Sequence, residues 1–196
     1  GGDGKIKITS NQAQELEKFV VGKNSPKSLD DVVGLNKTIN DVKNFIIYPL
    51  LSPKEAKERY QEYGIEVPNF VVFSGPPGCG KTMLAEAIAV ETNCDMYKLD
   101  LSKVASSYVN QTTTNVSEFF DKIFKISKDS EKPVIVFMDE MDSLLSKRSE
   151  EATGGSREDV KVVNVLLPIL SSLADKNVIV IGATNMYNTI DPAVKR

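Results

Sequence analysis

The sequence predicts an α/β fold: a mostly parallel, doubly wound sheet with helices on both faces. Three observations carry that prediction. Short continuous apolar runs alternate with segments of helical periodicity along the 196 residues. The first of these runs leads directly into a glycine-rich loop that opens a helix. A later run ends in two acidic residues, at the strand end where open parallel sheets bind ligands.

The chain opens on Gly1-Gly2-Asp3-Gly4 without Met, which reads as a cloning scar. Residues 1–27 are expected to be a tail and linker. Within them Ala13, Leu16, Phe19 and Val20 are spaced for one face of a weak helix, and Asn24-Ser25-Pro26 forms a turn. From Asn36, the residues Ile39, Val42, Phe45 and Ile46 mark a helix that Pro49 and Pro53 interrupt. A second short helix runs from Lys54 to Tyr63 and stops at Gly64.

The period then changes. Phe70–Phe73, Met96–Leu99, Val134–Met138 and Val178–Ile181 are apolar runs of the kind buried on both faces of a parallel sheet. The helices between them are predicted at Lys81–Thr92, Val116–Ser127 and Glu158–Leu173. The expected sheet has four parallel strands, with the strand before the glycine loop at an exposed edge. Such an edge invites pairing with another chain.

Composition narrows the chemistry. Lys plus Arg number 24 against 27 Asp plus Glu, a net charge of −3, and the pI is near 5.2. That balance argues against broad electrostatic nucleic-acid binding. There is no histidine, so neither a histidine metal site nor a histidine base exists. Cys79 and Cys94 read as reduced thiols, and a cytoplasmic location is expected. No apolar run is long enough to span a membrane, and an anchor elsewhere stays open.

Gly75-Pro76-Pro77-Gly78-Cys79-Gly80-Lys81-Thr82 fits G-x-x-x-x-G-K-[ST] in full, which specifies the P-loop NTPase version of the fold. The glycines let successive N–H groups point inward, and the helix start adds its positive end. Lys81 brings a point charge to the β- and γ-phosphates, and the Thr82 hydroxyl reaches a magnesium ion. Met83 completes the nucleotide-contacting stretch. Asp139, after the third run, can join the Thr82-held metal shell. Glu140 can orient or deprotonate the attacking water. Asp142 reads as a helix-start cap or a secondary contact. Asn185, at the end of the fourth run, can hydrogen-bond the γ-phosphate or the water. ATP and Mg2+ are therefore the expected cofactors.

Over 28–196 the chain resembles the AAA ATPases of the AAA+ group. The resemblance rests on SLDDVVGL at 28–35, GPPGCGKT at 75–82, VFMDEMDSLL at 136–145, GATN at 182–185 and IDPAVKR at 190–196. It implies the large α/β subdomain of such a protein, truncated before its last strand and with the C-terminal helical lid absent. It further implies adenine contacts from the backbone of Asp31, Val32, Val33 and Gly34, and a sensor role for Asn185. Arg196 is implied to be a finger acting in trans on the neighbouring subunit's ATP, within a hexameric ring. The fragment itself is expected to be monomeric. Tyr108 and Val109 fall in the register of a pore loop that grips protein substrates, and 149–157 in that of a second loop. Asn110, Ser171-Ser172 and Met186-Tyr187 depart from the family pattern, and none of them bears on the phosphate chemistry.

Two functions remain open on the residues. One is a ring that unfolds, threads or disassembles protein substrates by ATP hydrolysis. The alternative is a loader or switch acting on DNA-bound complexes. The acidic balance and the aromatic at Tyr108 favour the first, with no direct nucleic-acid contact.

Overall fold

In the computed structural model the described residues are 5–9, 15–32, 41–76, 80–105, 109–145 and 157–185. One six-stranded sheet organises them, in the order β1-β2-β4-β5-β6-β3. Its strands are β1 (Lys5–Thr9), β2 (Glu15–Phe19), β3 (Phe70–Ser74), β4 (Met96–Asp100), β5 (Val134–Asp139) and β6 (Val178–Thr184). The strands β4, β5, β6 and β3 pair in parallel. The glycine-loop strand β3 stands at the edge, and its first three residues are only half-buried for that reason.

The weak helix expected near Leu16 is not there. Residues 5–9 and 15–19 form an antiparallel hairpin that extends the sheet beyond β4. The sheet therefore gains two antiparallel strands that the sequence reading lacked. Leu16 lies 7% exposed in one core layer, while Phe19 packs against the other. A five-residue strand holds too few apolar positions to separate a period of 2 from one of 3.6. What decides its state is the open backbone edge of β4, which β2 satisfies.

Two core layers sandwich the sheet, and β5 shows how one strand feeds both. Val134, Val136 and Met138 join the layer under α5 (Val109–Lys128) and α7 (Arg157–Ser171). Ile135 and Phe137 join the layer that includes Leu84, Ala85 and Ile88 of α3 (Lys81–Thr92). Both faces being covered explains the unbroken apolar run. Helix α5 starts at Val109, well before the predicted Val116, and so takes in Asn110.

Residues 41–51 are helical, and Pro49 does not interrupt them. A π-helical turn, Lys43–Ile47, leads into α1 (Tyr48–Leu51), where Pro49 occupies the first turn. A first-turn position tolerates the missing N–H. The wider π turn inserts a residue and rotates the stripe. Val42 and Ile46 stay buried, whereas Phe45, expected on the same stripe, is 47% exposed. Pro53 then opens α2 (Pro53–Glu62). The short helices α4 (Leu101–Ala105) and α6 (Asp142–Leu145) follow β4 and β5.

Candidate functional site

The carboxyl ends of β3, β5 and β6 meet where the glycine loop turns into α3. Gly80 precedes that helix with φ of 87°. A Cβ there would meet nothing within 4 Å, so backbone conformation, not space, is what calls for glycine. The loop is tied to its neighbour strand by the Gly75 N–H, which donates to the Thr184 carbonyl at 3.2 Å. Pro77, Gly78 and Cys79 lie outside the described residues.

Lys81 bridges the two strand ends. Its ammonium donates to the carbonyls of Gly75 at 2.7 Å and Pro76 at 3.1 Å, and to Asn185 Oδ1 at 2.6 Å. The predicted phosphate lysine and the predicted γ-phosphate sensor, 104 residues apart in sequence, are thus in direct contact. Thr82 is half-buried in the first turn of α3, and Met83 beside it is 39% exposed.

Asp139 closes β5, with Oδ1 accepting the Glu140 N–H at 2.9 Å. Its other oxygen lies 3.5 Å from the Lys98 ammonium on β4. Glu140 adopts φ of 59°, left-handed for a residue with a side chain. Such a conformation costs on the order of 1 kcal/mol and needs outside support. The support is present: Ser143 donates to the Glu140 carbonyl through both its N–H (3.1 Å) and its hydroxyl (2.7 Å). The following Met141 N–H donates to the Ala183 carbonyl at 3.1 Å. The turn leaves the Glu140 carboxylate exposed at the strand end.

Asp142 does more than start a helix. Its carboxylate accepts the Thr184 hydroxyl and, at 2.8 Å, the Asn185 N–H. It therefore clamps the end of β6 to the end of β5 and holds Asn185 within reach of Lys81. Met141 reinforces the clamp, because its thioether packs where a Cβ at Gly182 would stand. Thr184, Ser143 and Lys98 were not singled out by sequence reasoning. Lys98 had a readable signal, a charged residue inside the otherwise apolar run Met96–Leu99.

The predicted adenine segment is only partly described. Leu29–Asp31 forms a 3₁₀ turn, and the Leu29 N–H donates to Glu91 Oε1 of α3 at 3.1 Å. Asp31 accepts the Lys27 N–H at 2.7 Å, and Val32 is buried in the core at 5% exposure. Val33 and Gly34 lie outside the described residues, as do Tyr108, 146–156 and 186–196, including Arg196. Val109 opens α5.

The donor set fits magnesium carried by a nucleotide. Thr82 and Asp139 would offer it hard oxygen donors, and among the described residues no group of three or more His, Cys, Asp or Glu is arranged to hold a metal ion by itself. Two protein oxygens do not make a cation cage, so phosphate and water would supply the remaining positions.

The family model for the "ATPase family associated with various cellular activities (AAA)" matches residues 71–196. Among curated relatives, the proteasome-activating nucleotidase of Methanococcus maripaludis is 36% identical over 170 residues, 86% of this chain and 40% of the relative. Proteasome-activating nucleotidase 2 of Haloferax volcanii is 33% identical over 96% of this chain and 43% of its own length. The 26S proteasome regulatory subunit 8 homolog of Schizosaccharomyces pombe is 35% identical, covering 97% of this chain and 46% of that protein. The chain thus spans less than half the length of these relatives.

Proposed function

The chain belongs to the AAA family of ATPases, and from that premise we propose that it binds ATP with magnesium and hydrolyses it at the strand ends of β3, β5 and β6. One observation carries the proposal: the direct contact of Lys81 with Asn185, beside the Asp139–Glu140 turn.

Each residue has a separate task. The loop N–H groups and Lys81 hold the phosphates, so Lys81 exchanges its carbonyl and Asn185 contacts for phosphate oxygens. Thr82 and Asp139 would hold the magnesium, whose charge would offset that of the phosphates. Glu140, held outward by its supported turn, orients the water and takes its proton. Asn185 fixes the γ-phosphate or that water, kept in place by Asp142.

The working unit is a hexameric ring in which Arg196 reaches the neighbouring subunit's ATP. Tyr108 and Val109 grip a protein substrate in its pore, with Asp31, Val32, Val33 and Gly34 along the adenine. The resemblance over 28–196 and the proteasomal names of the relatives support this reading over the DNA-directed one. The domain then starts near residue 28, with the hairpin as an addition to it.

The test is phosphate release by the wild type and Glu140→Gln. The variant is expected to retain ATP and lose at least about 100-fold in turnover, the range for a lost general base. Undiminished turnover in Glu140→Gln contradicts the assignment.

A further inference from the structure

A row of alternating charge runs across the sheet from β2 to the acid assigned to magnesium. The register sets Glu17 of β2 opposite Lys98 of β4. Lys98 stands opposite Phe137 of β5. Strand alternation puts Asp139, two residues on, on the same face as Phe137. The Lys98 ammonium closes the row, 3.5 Å from Asp139 Oδ2, with side-chain exposures of only 18% and 22%. Glu17, Lys98, Thr82 and Phe137 line one narrow cleft beside α3.

A lysine this withdrawn from water needs carboxylate partners. Its position gives it a second effect. Without a divalent cation, Lys98 compensates the Asp139 charge. Once a cation sits between Thr82 and Asp139, the same ammonium repels it, and low local solvation strengthens that repulsion.

We propose that Lys98 is a positioning residue, acting through Asp139, that sets the magnesium affinity of the nucleotide site, and that Glu17 of the added hairpin tunes it by drawing Lys98's charge away from Asp139. The hairpin is thereby joined electrostatically to the phosphate site. This inference rests on the assignment of Asp139 to the magnesium shell.

The experiment titrates Mg2+ into the chain with a fluorescent N-methylanthraniloyl-ADP, in the wild type and in Lys98→Met, Lys98→Arg, Glu17→Gln, Asp139→Asn and the double variant Glu17→Gln/Lys98→Met. The reading is the Mg2+ concentration that gives half the tightening of nucleotide, with melting temperature recorded for each protein. Lys98→Met is expected to lower that concentration at least about fivefold, as removal of a like charge from a cation site requires. Lys98→Arg keeps the wild-type value, and Glu17→Gln raises it. The double variant behaves as Lys98→Met does, because Glu17 acts through Lys98.

A merely structural role moves all variants in one direction together with their melting temperatures, which overturns the proposal. An unchanged or raised value in Lys98→Met overturns it too. If Asp139→Asn abolishes the Mg2+ effect while Lys98→Met leaves it unaltered, this inference alone fails. If Mg2+ tightens nucleotide equally in wild type and Asp139→Asn, the metal assignment fails and the inference with it.

Discussion

Cys94 shows how a single buried group links pH to stability. Burial pushes its thiol above the ordinary value of 9.0, outweighing the Thr92 contact and Lys132, which pull it down. The unfolded chain therefore releases this proton at lower pH than the folded chain. Between the two values the unfolded state binds fewer protons, so stability falls as pH rises. Burial raises Tyr97 and Tyr60 above their ordinary 10.0 in the same sense. Melting temperature is expected to decline as pH rises past about 9, first through Cys94 and then through the tyrosines. In Cys94→Ala the decline starts nearer pH 10, whatever the variant's stability at neutral pH. An identical pH slope in wild type and Cys94→Ala, measured by calorimetric melting, contradicts this account.

The elements differ in how openly their sequences announce them. Strands β5 and β6, buried on both faces, carry apolar runs with nothing to confuse them, and α3 was legible to the residue from its alanines and its preceding glycine. The carboxyl-end site followed, since a strand that ends in Asp139-Glu140 fixes where those side chains emerge. The hairpin was not legible, because its conformation is set by β4's unpaired edge and not by its own pattern. Nor was the π turn at Lys43–Ile47, where one inserted residue turned Phe45 outward. The clamp of Asp142 on Thr184 and Asn185 depends on two strands becoming neighbours, which spacing along the chain does not reveal. Removing residues 1–19 exposes the β4 edge and strips Leu16 from the core. That truncation is expected to lower melting temperature on the order of 10 °C, from about 3 kcal/mol of lost apolar burial. It also promotes self-association through the bared strand. An unshifted melt and an unchanged elution volume would show that the hairpin adds nothing to stability.

At the scale of the whole molecule, the proposed division of labour separates chemistry from grip. Nucleotide work sits at the ends of β3, β5 and β6, while Tyr108 lies in sequence between α4 and α5, after a different strand. In the proposed ring, Tyr108→Ala is expected to spare basal ATP hydrolysis and remove most substrate translocation. Aromatic contacts contribute about 0.5–1.5 kcal/mol each beyond their buried area, and copies around a ring act together. Parallel loss of hydrolysis, translocation and melting temperature would instead mean that Tyr108 packs within its own subunit. No helix among the described residues is long and apolar enough to cross a membrane. The central claim remains that Lys81, poised between the glycine loop and Asn185, holds nucleotide phosphate. Calorimetric titration of Mg–ATP into wild type, Lys81→Ala and Glu140→Gln tests it most directly. The account predicts saturable binding to wild type and Glu140→Gln, and a loss of at least about tenfold in affinity for Lys81→Ala, as removal of a charged phosphate donor requires. Equal affinity in wild type and Lys81→Ala would contradict it.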